Sequence, residues 1–245
     1  MEGYDAATYG DRIAEVYDER HALLDPTEAV AALADLAAGG RVLELAIGTG
    51  RVALPLAARG VEVHGVDASE EMVARLRAKP GGERIPVTIG DLAEVPVEGS
   101  FGLVFVVFNT FFALTTQEAQ CALFAKVAEH LAAGGRFVIE AFVPDLGRFD
   151  RNQRLAVLGV ELDRVLLDAS EHDPVTQTVQ TQHVVLEAGG TRMFPVHLRY
   201  AWPSELDLMA RLAGLRLEDR WGGWRREPFT AASTQHVSVY SSAAS

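Results

Sequence analysis

Between residues 41 and 142 the chain alternates, and this restricts its fold more than anything else in it. Short apolar runs at 41–46, 61–66, 86–89, 101–108 and 136–142 have strand length and are bounded by glycine, proline or acids. The stretches between them at 51–59, 69–79 and 117–131 carry helical spacing. Ser69 is placed to cap the second of these, with Glu70 and Glu71 in its first turn. Strands alternating with helices at this pace require right-handed crossovers and a parallel sheet. The run 101–108 is apolar on both faces, as a central strand covered on two sides must be.

The flanks read differently. Residues 1–40 are helical. A helix over 6–18 puts Tyr9, Ile13, Val16 and Tyr17 on one face, and a second opens at Pro26-Thr27-Glu28 and ends at Gly39-Gly40. Beyond Pro144, segments 156–166, 177–187 and 191–200 read as β in hairpin order, with Gly189-Gly190 as a tight turn. A helix over 204–215, capped by Ser204, precedes closing strands at 215–221 and 235–240. The expected fold is α/β, a doubly wound, mostly parallel seven-stranded sheet. Its expected parts are a helical cap (1–40), an α/β core (41–144), an inserted antiparallel lobe (145–202), and a C-terminal helix with closing strands (203–245).

Thirty-four acids against 22 lysines and arginines give a net charge of −12, the wrong sign for a phosphate-neutralising surface, so no nucleic-acid partner is expected. No apolar run approaches the ~20 residues of a spanning helix, and the first dozen residues lack a signal-peptide core, so no membrane partner and a cytoplasmic location are expected. Cys121 is the single cysteine, and no metal-ligand spacing is present.

Chemistry concentrates at the ends of the first three strands. In Glu44-Leu45-Ala46-Ile47-Gly48-Thr49-Gly50, small residues let a ligand approach the backbone, and the following helix start offers free N–H groups. Asp67 ends the second strand, 19 residues beyond Gly48, where a carboxylate can take both hydroxyls of a ribose. Asp91-Leu92 ends the third, an acceptor and an apolar cover suited to an adenine edge and face. Open α/β sheets bind ligands at these carboxyl ends. Each residue also has a plainer reading: Glu44 as a strand-end acid, Asp67 as a helix cap, Asp91 as turn chemistry.

These motifs resemble the class I S-adenosylmethionine-dependent methyltransferases, with Ala46 standing where the family's first glycine would be. The resemblance implies S-adenosylmethionine as cofactor. It assigns Asp67 to the ribose, Asp91 and Leu92 to the adenine, and the motif backbone (Glu44, Ala46, Gly48, Gly50) to the methionine portion. Ala68, Met72 and Phe108 join this cofactor set, and Tyr9 and Tyr17 match the aromatic pair of a covering N-terminal cap. The insertion is similar to that of bacterial small-molecule N-methyltransferases of amino-sugar and antibiotic pathways, which implies a small-molecule acceptor and a homodimer through the inserted sheet.

Gly48-Thr49-Gly50-Arg51-Val52-Ala53 also fits the dinucleotide fingerprint. A nicotinamide-dependent oxidoreductase and a non-catalytic cofactor-binding module are therefore the competing readings. Asn109, Phe111 and Phe112 follow the fourth strand, nearest the reacting centre. With Glu140 and Tyr200 they form the candidate acceptor site, although the phenylalanines, like Tyr9 and Tyr17, read equally as core. Asn109, Glu140 and His197 are the candidate catalytic groups. His183 and His197 fall in the inserted sheet, a candidate lid. No His–Asp pair is legible, which suits methylation of a neutral amine, since such a nucleophile needs no strong base.

Overall fold

The computed structural model describes residues 1–242. Its main sheet contains β1 (Val42–Leu45), β2 (Val63–Asp67), β3 (Val87–Ile89), β4 (Phe101–Val106), β5 (Leu131–Phe142), β10 (Leu215–Trp221) and β11 (Gln235–Ser242). The order across it is β10-β11-β5-β4-β1-β2-β3. The first five strands pair in parallel, and β11 and β10 close the edge antiparallel. From β1 the chain winds outward through β2 and β3, then returns to β4 on the other side. The carboxyl ends of β1 and β4 therefore flank the switch point, where such a sheet leaves a crevice.

Alternation along the central strands builds a core on each face. Leu43, Leu45, Val104 and Val106 meet α6 (Gln117–His130) and α7 (Pro203–Leu212) through Phe124, Val127, Leu206 and Met209. Val42, Leu103 and Phe105 meet α3 (Thr27–Ala37) and α4 (Ala53–Ala58) through Leu33, Ala37 and Leu56. Glu44 shares the parity of Val42, so its carboxyl enters this second, apolar layer.

The cap departs from one continuous helix over 6–18. It consists of α1 (Thr8–Ile13) and α2 (Tyr17–Arg20), broken at Val16 (φ −113°, ψ 2°). The break lets the two pieces dock differently. Ile13 and Ala14 bury against Met72, Val185 and Phe194. Asp18 turns to the glycine loop, accepting from Thr49 Oγ1 at 2.6 Å and pairing with Lys79 at 2.7 Å.

The inserted sheet has four strands: β6 (Gln153–Val160), β7 (Arg164–Asp173), β8 (Thr178–Glu187) and β9 (Gly190–Arg199). The expected strand at 156–166 is two strands, because the chain reverses over Glu161-Leu162-Asp163. A backbone bond from Glu161 N to Arg164 O (2.8 Å) and the Glu161–Arg164 ion pair (2.6 Å) close that turn. Ser204 is not a cap either. Pro203 is the first residue of α7, Trp202 occupies the cap position, and no side chain bonds there. Ser69 does cap α5 (Glu70–Arg77), accepting from Met72 N at 3.1 Å.

Candidate active site

Asp67 ties two loops together. Oδ2 accepts from Gly48 N (2.7 Å) and Oδ1 from Ser69 N (2.9 Å). Each oxygen keeps a lone pair for a further donor, the requirement for a vicinal diol. Burial raises Asp67 above its ordinary pKa, against those two N–H bonds. The cap reaches the same corner, where Ser69 Oγ donates to Asp11 Oδ1 at 2.6 Å. Gly48 (φ +56°) has open space where a Cβ would stand, so the loop presents bare backbone. Ala46 holds a left-handed φ of +58°, a conformation that costs an L-residue roughly 1–2 kcal/mol. This is the position where the resembling family places glycine.

An open cavity lies against this loop, lined by Tyr17, Glu44, Gly48, Arg51, Phe108 and Thr110 among others. An acidic and a basic side chain stand in its wall. Glu44 is 3% exposed, and its Oε2 has no partner among the described residues. Burial, then the neighbouring Asp67, pushes its pKa well above the ordinary carboxylate range. Arg51 lays its guanidinium on the Phe108 ring, 3.2 Å from the centroid. Neither Nη1 nor Nη2 has a partner among the described residues. Unpaired buried donors on a cation are costly, and they persist where a ligand completes them. A buried carboxyl and a buried guanidinium, both incomplete and beside one glycine loop, fit the ammonium and carboxylate of an amino-acid head group. The sulfonium cofactor implied by the sequence carries such a head on an adenosine, and Asp67 fits its ribose. The donor set therefore fits that cofactor.

Across the crevice β4 stops at Val106, two residues short of the expected end. Phe108 (φ +57°) and Asn109 (φ +64°) both take left-handed backbone, strain of order 1–3 kcal/mol each that the surroundings must hold. Glu140 and Asn109 supply the restraint. Glu140 accepts from Phe108 N (3.0 Å) and from Trp224 Nε1 (2.8 Å), and Asn109 Oδ1 accepts from Phe142 N (2.7 Å).

Other expected site residues lie elsewhere. Phe111 and Phe112 are fully buried in the core, packed edge-on against Phe124 and Phe142. Tyr200 is buried with its hydroxyl 3.0 Å from His172 Nε2. His197 sits edge-on to Tyr4, on the face of β9 opposite Phe194 and Leu198. These four are not brought to the crevice: core packing claims three, and strand parity turns the fourth away. Asp91 is exposed and closes a turn onto Ala93 N (2.9 Å), with Leu92 half-buried beside it. Tyr9 and Tyr17 are partly buried between the cap and the lobe, and Met72 is buried there. Ala68 is half-buried between Asp67 and Ser69. Sequence reading passed over Arg51, counted only as a variable position of the fingerprint. The one available signal was a cation directly after Gly-Thr-Gly.

Comparison with known proteins agrees with this geometry. The methyltransferase-domain family matches residues 42–135. The CcbJ methyltransferase from Streptomyces caelestis is 45% identical, with a TM-score of 0.93 over 98% of this chain and 100% of that one. The cypemycin N-terminal methyltransferase from Streptomyces sp is 29% identical over 241 residues, covering 96% of this chain and 98% of that protein. CalS10 from Micromonospora echinaspora, an amino pentose methyltransferase of calicheamicin biosynthesis solved with S-adenosylmethionine bound, shares the fold at 23% identity. Its TM-score is 0.63 over 98% of this chain and 93% of that one. These matches lend no support to the nicotinamide reading. At 45% identity over nearly its whole length, the chain belongs to the S-adenosylmethionine-dependent methyltransferases.

Proposed function

We propose that the protein methylates an amine nitrogen of a small polar acceptor in an antibiotic-type secondary pathway. The observation that carries the cofactor half is the incomplete Glu44–Arg51 pair beside the glycine loop. The amine half draws on the cypemycin relative, named an N-terminal methyltransferase, and on the amino-sugar enzyme that shares the fold. The cofactor supplies, when bound, a methyl group already activated on a sulfonium. Arg51 holds its carboxylate and Glu44 its ammonium. Asp67 takes the ribose hydroxyls, with Asp91 and Leu92 at the adenine. Tyr9 and Tyr17 close the cap and keep water out. The restrained Phe108-Asn109 backbone sets one wall of the acceptor's approach. Positioning a nucleophile in this way supplies up to ~7–11 kcal/mol in favourable model reactions.

The test is transfer of labelled methyl to a defined panel: methyl glycosides of 3-amino- and 4-amino-deoxyhexoses, a peptide with a free terminal amine, and the matched hydroxyl compounds. Label on amines alone is expected. Label on hydroxyls alone refutes the amine reading.

The same reading includes a homodimer through the inserted sheet. Leu155, Val157, Val160 and Leu162 stand exposed on and just beyond β6, an edge strand of the lobe. Exposed apolar edges of this kind are ordinarily covered. Leu155→Lys with Val157→Glu is expected to yield monomer in sedimentation. An unchanged sedimentation coefficient counts against this interface.

A further inference from the structure

The turn that leaves β10 reads Trp221-Gly222-Gly223-Trp224, a pair of large aromatics that the cofactor site described above does not explain. Its backbone closes on itself, Gly222 N donating to Glu227 O (2.7 Å) and Arg226 N to Gly223 O (3.1 Å). Two arginines pin the turn to α3: Arg225 pairs with Glu28, and Arg226 with Asp35 at 3.4 Å. Trp224 is thereby held half-buried against the apolar layer that α3 and α4 cover. Its indole Nε1 donates to Glu140 Oε1 at 2.8 Å.

Glu140 carries this restraint to the wall of the cavity. It stands two residues past Val138 on β5, so its side chain leaves the sheet on the face that Glu44 also enters. Oε2 accepts from Phe108 N at 3.0 Å, and the backbone O of Glu140 accepts from Asn109 N at 3.2 Å. One residue therefore grips both members of the left-handed pair after β4. The ring of Phe108 is the surface on which the Arg51 guanidinium lies, 3.2 Å from the centroid. Burial lowers the pKa of Arg51, and Glu140 opposes that as a nearby negative charge. The contacts form one row: Trp224 indole, Glu140 carboxylate, Phe108, Arg51.

We infer that Glu140 and Trp224 are positioning residues for the cofactor's amino-acid head, acting through Phe108 to keep Arg51 aimed at its carboxylate. This role rests on the assignment of Arg51 to that carboxylate under the proposed function. It requires a carboxylate at position 140. Each Glu140 oxygen accepts from one N–H, whereas glutamine has a single oxygen, so its amide N–H would face one of the two donors. Released from Glu140, Phe108 leaves its left-handed backbone in the free protein. Binding must then re-form that backbone, a penalty of roughly 5- to 150-fold for strain of this kind. Losing a negative charge beside Arg51 would by itself tighten carboxylate binding, so weaker binding in Glu140→Gln reports the seat and not the charge.

The test is calorimetric titration of S-adenosylhomocysteine and 5′-methylthioadenosine into wild type, Glu140→Gln, Trp224→Phe and the double variant. Glu140→Gln should lose that factor for S-adenosylhomocysteine and keep wild-type affinity for 5′-methylthioadenosine, which has no amino-acid head. Trp224→Phe leaves the Phe108 bond in place and should lose less. In the double variant the second donor is gone, so the glutamine oxygen is free to accept from Phe108 N. Its affinity for S-adenosylhomocysteine should recover to that of Trp224→Phe. Equal losses for both ligands in Glu140→Gln, no loss for either, or a double variant no better than Glu140→Gln overturns the proposal. Arg51→Met, titrated alongside, separates the two assignments. A loss for S-adenosylhomocysteine there with none in Glu140→Gln refutes the positioning role alone, and no loss there refutes the carboxylate assignment. If Glu140→Gln does not fold, amide hydrogen exchange at Phe108 in the free wild-type protein decides: protection supports the seat, and exchange at the unprotected rate overturns it.

Discussion

Replacing Arg51 by methionine separates what that residue does for the fold from what it does for the ligand. Methionine keeps an apolar stem over Phe108 and deletes the guanidinium. The unliganded protein then loses a desolvated cation–π contact, about 0.5–2 kcal/mol. It also sheds two buried donors without partners, each costing about 1–3 kcal/mol. The relief from the two donors together is at least as large as the lost contact. The free variant should therefore melt no lower than wild type by more than about 4 °C, the shift expected from ~1 kcal/mol in a chain of this length. Binding is different. Truncating one partner of a buried charge pair costs about 2–5 kcal/mol, a loss of ~30- to several thousand-fold in affinity. Calorimetric titration with two ligands isolates the effect. S-adenosylhomocysteine carries the carboxylate and should lose that factor, whereas 5′-methylthioadenosine lacks the amino-acid head and should bind as to wild type. Equal losses for both ligands, or none for either, would refute the assignment of Arg51 to the carboxylate.

The remaining predictions follow from the acids and one buried histidine. Asp67→Ala removes the group that faces the ribose, so both ligands should weaken together, by roughly 100- to 20,000-fold for two charge-assisted bonds of about 1.5–3 kcal/mol each; loss for S-adenosylhomocysteine alone would contradict it. Glu44 is held well above the ordinary carboxylate range by burial and by Asp67, so its ionisation opposes folding, and stability is lost as pH rises through its folded pKa. An ammonium seated there favours the carboxylate and pulls that raised pKa back down, so binding followed over a series of pH values should release a proton, seen as buffer-dependent binding enthalpy in wild type and absent in Glu44→Gln; no buffer dependence at any pH in wild type would sink the pairing. His236 is fully buried, and burial, then Arg220, lowers its pKa to about 4. The unfolded chain takes up a proton near pH 6.5 and the folded one only near 4, so stability falls across that window as pH drops, by up to ~3 kcal/mol. His236→Gln should flatten the melting temperature between those pH values, and an unchanged slope would contradict the assignment.

The parallel core was legible because its information is local. Each candidate ligand group there stands at the carboxyl end of its own strand, so finding Leu45, Val66 or Ile89 as the last apolar position finds the adjacent candidate too. The failures are of another kind. Arg51 occupies a motif position that many residues can fill, and its significance lies in the partners it lacks, which no spacing encodes. Phe111, Phe112 and Tyr200 have the composition of pocket walls, and only their burial assigns them to the core. The cap helix breaks at Val16 because Ile13 and Asp18 answer to different surfaces, a tertiary demand that overrides the 3.6 period. In the lobe the polar pairings sit mid-strand, where partners are set by register. Asp168 meets His183 only if the chain turns over 161–163 and again after Asp173. A reading that fuses 156–166 into one strand never starts β7 at Arg164. A slip of one residue would carry Asp168 to the outer face. Turn placement in the lobe therefore decides which side chains each of its faces presents.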